Sequence, residues 1–289
     1  MKLKNTAALA LSAVLAFSLT ACGSAASPAV DSTVPDGDGD PTTLTVAMEC
    51  AYAPYNWTQN DDANGAVQIR DSGDYAYGYD VIMAKKIGEA LGQNVQIVKL
   101  DWDSLIPAVT SGDVDCVIAG QSITAERAEQ VDFSDPYYYA SIVTLVKKDS
   151  KYADAKSVAD LDGATATSQL GTIWYDNCLP QIPNGNILAA QETAPAMLVA
   201  LNSGACDVVV TDRPTAQAAL VAYPDFALLD FGGGENDFQV SQEDINIGIS
   251  MKKGNTALRD AINEVLSGMT ADDYNNLMDE AIAAQPLSE

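Results

Sequence analysis

The sequence predicts an α/β protein of two similar lobes, each a mostly parallel sheet covered by helices, joined by a two-strand hinge with a ligand cleft between them. Three observations carry this. Strand-like and helix-like segments alternate from Leu44 onward, the order that a parallel sheet with helical crossovers requires. One unit of helix, stop and strand occurs twice: LIPAVTSGDVDCVIAG (Leu105 to Gly120) aligns with MLVALNSGACDVVVTD (Met197 to Asp212). The alignment matches Ser111-Gly112 to Ser203-Gly204 and Asp115 to Asp207. Finally, Ser141 to Lys147 and Ile245 to Met251 read as extended segments that cross between the lobes. The predicted boundaries are residues 43–138 and 246–289 for the first lobe and 139–245 for the second.

The elements follow in order. Leu44 to Ala47 is a short buried strand. Tyr79 to Leu91 carries Val81, Ile82, Ala84, Ile87 and Leu91 at helical spacing and stops at Gly92. Val95 to Val98 is a strand, Trp102 to Ser111 a short helix ending at Gly112, and Val114 to Ala119 another strand. Ala164 to Ser168 is strand-like. The end of the chain, Thr256 to Ala284, is helical.

Before these elements lies a different kind of sequence. Lys2 and Lys4 precede an apolar stretch from Leu9 to Leu19, shorter than the ~20 residues a membrane-spanning helix needs. Leu19-Thr20-Ala21-Cys22-Gly23 resembles a bacterial lipobox. Residues 1–21 are therefore expected to be a lipoprotein signal peptide and Cys22 the lipidated N-terminus, since the two chains of a diacylglyceryl group suffice for stable anchoring. Residues 22–42 are rich in Gly, Ser, Pro and Asp and read as a flexible tether. The DGDGD run within it lacks the twelfth-position carboxylate of a calcium loop, because that position is Ala47.

Composition excludes several classes. The 289 residues carry 40 Asp and Glu against 15 Lys and Arg, a formal net charge of −25. Such a field repels phosphate, so nucleic acid is excluded as a partner. There is no histidine, and the cysteines lack metal-ligand spacing, so neither a metal site nor a cofactor is expected. Beyond Cys22, four cysteines remain, and their three possible complete pairings stand open.

Chemistry concentrates at the strand ends. AGQSITAER (Ala119 to Arg127) follows the strand at the usual ligand edge of an open α/β sheet. Thr124 is placed to cap the helix that starts at Ala125. Arg127 can grip a carboxylate with two parallel hydrogen bonds or pair with an acid on the surface. Ser122 offers a hydroxyl, and the Gly120 carbonyl is a possible ammonium acceptor. In the second lobe, Asp212 occupies the place of Gly120. Arg127 for a carboxylate and Asp212 for an ammonium together read a zwitterion. After Ala164 to Ser168, Gly171 lets the backbone come close, and the N–H groups of Thr172 and Ile173 open the next helix towards the same carboxylate.

These residues, with Tyr52-Ala53-Pro54-Tyr55, GYDVIMAKKI (Gly78 to Ile87), LIPAV, SITAER and DFSDPYY (Asp132 to Tyr138), carry a resemblance. From about Leu44 to Ala284 the chain resembles the polar amino-acid-binding proteins of bacterial ABC importers, solute-binding protein family 3, with the type II periplasmic-binding-protein fold. The resemblance implies that Ser122, Arg127, Thr172 and Ile173 bind an α-carboxylate and that Gly120 and Asp212 bind an α-ammonium. It implies that Tyr52 and Trp102 sandwich the ligand side chain and that Glu49 lies near its distal end, where a carboxylate favours arginine or lysine; glutamine stays open. Also implied are a monomer that binds without chemistry, permease and ATPase partners, and lipid anchoring outside the cytoplasm. Two departures stand out. Asn60 to Ala76 is an insertion, and Ile173 replaces a frequent hydroxyl residue. An alternative on the same fold is a dehydratase acting on arogenate-like or prephenate-like acids, with Glu49 or Asp212 as acid or base. A receptor's ligand-sensing module is expected to continue into a membrane helix and a signalling domain, neither of which is read here.

Overall fold

The computed structural model describes residues 41–286. The expected signal peptide, Cys22 and the DGDGD run lie outside the described residues.

Two five-stranded sheets organise the molecule. In the first, Thr43–Met48 runs between the parallel strands Asn94–Lys99 and Cys116–Val117. Ser250–Lys252 and Val131–Phe133 extend the sheet in antiparallel fashion. In the second, Thr165–Thr167 runs between the parallel strands Asn186–Ile187 and Val208–Asp212. Ile142–Lys147 pairs antiparallel with Val208–Asp212 on one side and Phe226–Leu229 on the other. Thr43–Met48 is buried from Leu44 onward and Val208–Asp212 along its whole length, as strands covered by helices on each side must be.

The repeated unit is structural as well as sequential. Helices Leu105–Ser111 and Ala194–Ser203 both end at a left-handed glycine, Gly112 and Gly204, the usual way to stop a helix and satisfy its last carbonyls. Each matched aspartate then ties its strand to a parallel neighbour in its own sheet. Asp115 accepts from the N–H and the hydroxyl of Thr45 at 2.7 and 2.5 Å. Asp207 accepts from the N–H of Thr165 at 3.0 Å. The backbone N–H of each donates back, Asp115 to the Thr45 carbonyl and Asp207 to that of Thr165.

The Tyr79–Leu91 helix has the predicted bounds and buries Val81, Ala84 and Ile87. The terminal helices Thr256–Ser267 and Ala271–Ala284 are each capped, the second by a reciprocal Thr270–Asp273 box. Three expectations change in detail. The Val114–Ala119 segment is buried throughout, but only Cys116–Val117 is in the ladder, because the chain turns towards the left-handed Gly120. Ile245–Met251 is not one strand: Asn246–Ile247 and Ser250–Lys252 are separate. The paired crossing is made by Tyr138–Tyr139 with Asn246–Ile247, just upstream of Ile142–Lys147, which belongs wholly to the second sheet.

Residues 60–76 contribute to a local sheet. Their strand Val67–Gln68 joins Tyr75–Tyr77, Asn56–Gln59 and Ala51–Tyr52 in a small antiparallel sheet. Cys50, Cys116, Cys178 and Cys206 are all buried free thiols. Burial lifts the pKa of Cys50 to about 12 and of Cys206 to about 11, so the nucleophilic thiolate is scarce at neutral pH.

Candidate functional site

The predicted residues meet where loops from the two sheets face each other. On the first side, Cys116–Val117 delivers the chain to Gly120. Its φ of +62° places it in the left-handed region, and a Cβ there would stand 2.7 Å from Tyr52 Cε1; glycine satisfies both demands. The loop then runs through Ser122 to Thr124, whose hydroxyl accepts from the Arg127 N–H at 3.2 Å and caps the Ala125–Gln130 helix.

Arg127 pairs with carbonyls rather than with a surface acid. Nη1 donates to the Ser122 carbonyl and Nη2 to the Gly171 carbonyl, each at 2.9 Å. Its guanidinium lies 5.4 Å from the centre of the Trp102 ring, within cation–π range. Loss of surrounding water lowers its pKa to about 10, so it stays a cation at neutral pH. Trp102 Nε1 donates to the same Gly171 carbonyl at 3.4 Å. Gly171, at φ +65°, admits this approach: a Cβ would sit 3.3 Å from Trp102 Nε1.

On the second side, Asp212 ends its strand and caps the Arg213–Ala222 helix, accepting from the Thr215 N–H at 2.9 Å and from its hydroxyl at 3.0 Å. Tyr52, from the first side, donates its hydroxyl to the same carboxylate. Burial raises the pKa of Asp212, with Thr215 and Tyr52 opposing the shift. The ring of Tyr52 stacks on Tyr55 at 4.8 Å, with Trp174 at 6.1 Å. Thr172 is fixed by donation to the Gln169 carbonyl at 2.7 Å, and Ile173 is buried beside it.

Glu49 is 5% exposed and accepts from Gln169 Nε2 at 3.1 and 3.3 Å. Burial lifts its pKa to about 7. Two cavities flank the Trp102–Gly171 contact. One, about 610 Å³, is bordered by Arg127, Trp102, Thr172 and Ile173. The other, about 310 Å³, is bordered by Glu49, Trp102, Asp101, Asp103 and Glu192. Four residue pairs therefore hydrogen-bond between the sides here, Tyr52 with Asp212, Arg127 with Gly171, Trp102 with Gly171 and Glu49 with Gln169, beside the Tyr52–Trp174 ring contact.

All nine predicted residues lie in this region. Ser122 meets Arg127 through its carbonyl, not its hydroxyl. Sequence reasoning did not single out Gln169, Asp101, Asp103 or Glu192. The last three are acids in an acidic chain, and an uncharged Gln169 gives no signal beside the Gly171 turn.

This two-lobed geometry is that of a ligand-binding protein. Residues 44–283 match the bacterial extracellular solute-binding proteins, family 3, and the chain belongs to that family. Over 171 residues it is 33% identical to the arginine-binding extracellular protein ArtP of Bacillus subtilis, covering 59% of this chain and 58% of that one. It is 28% identical to the L-cystine-binding protein TcyJ of Escherichia coli over 276 residues, 94% of each chain. Its fold matches the amino acid ABC transporter substrate-binding protein AbpA of Streptococcus pneumoniae bound to L-arginine. That match has a TM-score of 0.70 and 25% identity, and covers 84% of this chain and 95% of that one.

Proposed function

We propose that the chain is the ligand-binding component of an ABC importer for a polar L-amino acid, with arginine or lysine favoured. The observation that carries this reading is that a cation on one side, Arg127, and an anion on the other, Asp212, each hydrogen-bonds to the opposite side, Arg127 to the Gly171 carbonyl and Asp212 to the Tyr52 hydroxyl. Arg127 with the Thr172 and Ile173 N–H groups takes the α-carboxylate. Asp212 with the Gly120 carbonyl takes the α-ammonium. The side chain runs between Tyr52 and Trp102 towards Glu49.

A cation at that end is favoured by the chemistry of the smaller cavity. A carboxylate with a pKa of about 7 is half ionised at neutral pH, and an arriving guanidinium or ammonium draws it fully into the charged form. Asp101, Asp103 and Glu192 add to the negative field. A neutral amide gains less there. The lineage supports an amino acid without fixing which one, since its relatives are named for arginine and for cystine.

Nothing in this role needs bond making. The lobes, 43–138 with 246–289 and 139–245, close on the ligand about the Tyr138–Tyr139 and Asn246–Ile247 crossing, driven by its higher affinity for the closed state. The importer's permease then receives it, with the protein held as a monomer at the outer face of the membrane by lipid on Cys22. Calorimetric titration with the twenty L-amino acids tests the reading. Micromolar or tighter binding of at least one polar L-amino acid is expected, with arginine or lysine tightest, and mass spectrometry should recover the ligand unchanged. Silence across all twenty overturns it.

A further inference from the structure

Two motifs remain without a role in this account: Gly78-Tyr79-Asp80, which opens the long first helix, and Asp135-Pro136-Tyr137-Tyr138, which leads into the crossing. They meet under the cleft. Asp80 is fully buried, and both of its oxygens are engaged. Oδ1 accepts from the Tyr137 hydroxyl at 2.6 Å, and Oδ2 accepts from Asn56 Nδ2 at 2.7 Å. The Tyr137 oxygen in turn accepts from the backbone N–H of Gly120 at 3.0 Å. Asn56 Oδ1 accepts from the N–H of Cys50 at 2.7 Å. One carboxylate thus reaches two backbone segments of the cleft: the Gly120 turn through Tyr137, and the Cys50 to Tyr52 segment through Asn56.

The rest of the neighbourhood makes this arrangement stiff. The N–H groups of Tyr79 and Asp80 donate to the carbonyls of Pro54 and Tyr55 at 3.1 and 2.8 Å. The Tyr79 hydroxyl donates to the Tyr137 carbonyl at 2.5 Å, and the two rings stack with centroids 5.7 Å apart. A buried ion without hydrogen bonds is costly, whereas one with each oxygen paired fixes its partners. Apolar side chains could fill this space at lower desolvation cost; the carboxylate instead pins two specific backbone segments.

We infer that Asp80 and Tyr137 are positioning residues for ligand recognition: the Asp80–Tyr137 pair holds the Gly120 N–H, and so aims the Gly120 carbonyl at the ligand's α-ammonium. Gly120 is left-handed and has no side chain, so only its peptide groups can be steered. Tyr137 is a phenol at the one N–H that sets this turn. Tyr137 touches no ligand in this arrangement and acts wholly through the backbone. The inference rests on the zwitterion reading above.

The test uses the full chain with two probes, L-arginine and 5-guanidinopentanoate, which keeps the carboxylate and guanidinium but lacks the α-ammonium. Tyr137→Phe keeps the ring and removes the oxygen. Binding of L-arginine should weaken about tenfold, the scale of one lost hydrogen bond to a polar partner, while binding of 5-guanidinopentanoate changes less than about twofold. Hydrogen exchange at the Gly120 amide should speed up in the ligand-free variant, with the Ile142–Lys147 strand still protected. Asp80→Asn, of nearly equal shape, should show the same pattern more weakly and serves if the tyrosine variant does not fold. Equal weakening for both probes would mean general softening and overturns the inference, as does an unchanged Gly120 amide. Failure of the wild-type chain to bind any of the twenty amino acids instead removes the functional reading on which it rests, and the inference with it.

Discussion

The two sheets are built alike up to one residue and diverge there. Each has a helix stopped at a Ser-Gly pair, an aspartate that clamps its strand to the neighbouring strand, and an apolar strand that runs to the cleft. At the end of that strand one side has Gly120 and the other Asp212. After Gly120 the chain spends a loop, Gln121 to Thr124, before a short helix offers Arg127. After Asp212 the helix begins at once, with the carboxylate as its cap. The shared part is scaffold, and the divergence sets which charge each side presents: a cation on a loop-borne helix, an anion at a helix start.

Breaking the first side should have the largest effect. Arg127→Ala should weaken binding of the tightest amino acid at least about 100-fold, since truncating one partner of a desolvated charge pair costs ~2–5 kcal/mol. Calorimetry reads this directly, and an unchanged affinity refutes the carboxylate role. Asp212→Asn attacks the second side more gently. Asparagine caps helices about as well as aspartate, so the melting temperature should hold within a few degrees while affinity falls roughly 30-fold; a large loss of stability with intact affinity would make Asp212 scaffold only.

Glu49 sharpens the comparison through pH. Its raised pKa means that the folded protein favours the protonated form. Relative to the unfolded chain, that stabilisation is full below the ordinary glutamate range and is lost as pH rises through about 7. Glu49→Gln should therefore stabilise the ligand-free protein at pH 8, by about 1–3 kcal/mol, read by denaturant unfolding. Ionised Glu49 is the form that greets a cation, so wild-type affinity for arginine should fall by up to about tenfold per pH unit below 7 and level off above it. Glu49→Gln should flatten that profile, and a flat wild-type profile rejects the cation assignment.

The scaffold clamps should differ least. Asp115 is buried and accepts two bonds from Thr45, whereas Asp207 is half-buried and accepts one from Thr165. Asp115→Asn should destabilise more than Asp207→Asn by roughly 1 kcal/mol, with ligand affinity untouched in both. Chemical denaturation of the two variants side by side decides it.

How much of this was legible in the sequence depended on whether the signal was local. The Tyr79–Leu91 helix could be read to the residue because its apolar spacing, and the glycine that stops it, are written within one segment. Arg127 and Asp212 stood out because charge at the end of an apolar strand is unusual. The repeated unit exposed the matched aspartates, though not what they clamp, since Thr45 and Thr165 lie far away along the chain. Gln169 and the Asp80–Tyr137–Gly120 chain were hidden for the same reason. Their meaning lies in partners 17 to 120 residues distant, and no periodicity records such a meeting. The crossing was displaced in the reading because β-branched Ile142 to Lys147 gives a stronger strand signal than Tyr138–Tyr139, which pairs over only two residues.

The bond from the Tyr52 hydroxyl to Asp212 has a consequence for which molecules are admitted. Whatever settles on that carboxylate must first evict a phenol already seated there. An ammonium succeeds because a full charge is the stronger partner for an anion. A visitor lacking one leaves the phenol in place, forgoes that anchor, and must hold on by its other end alone.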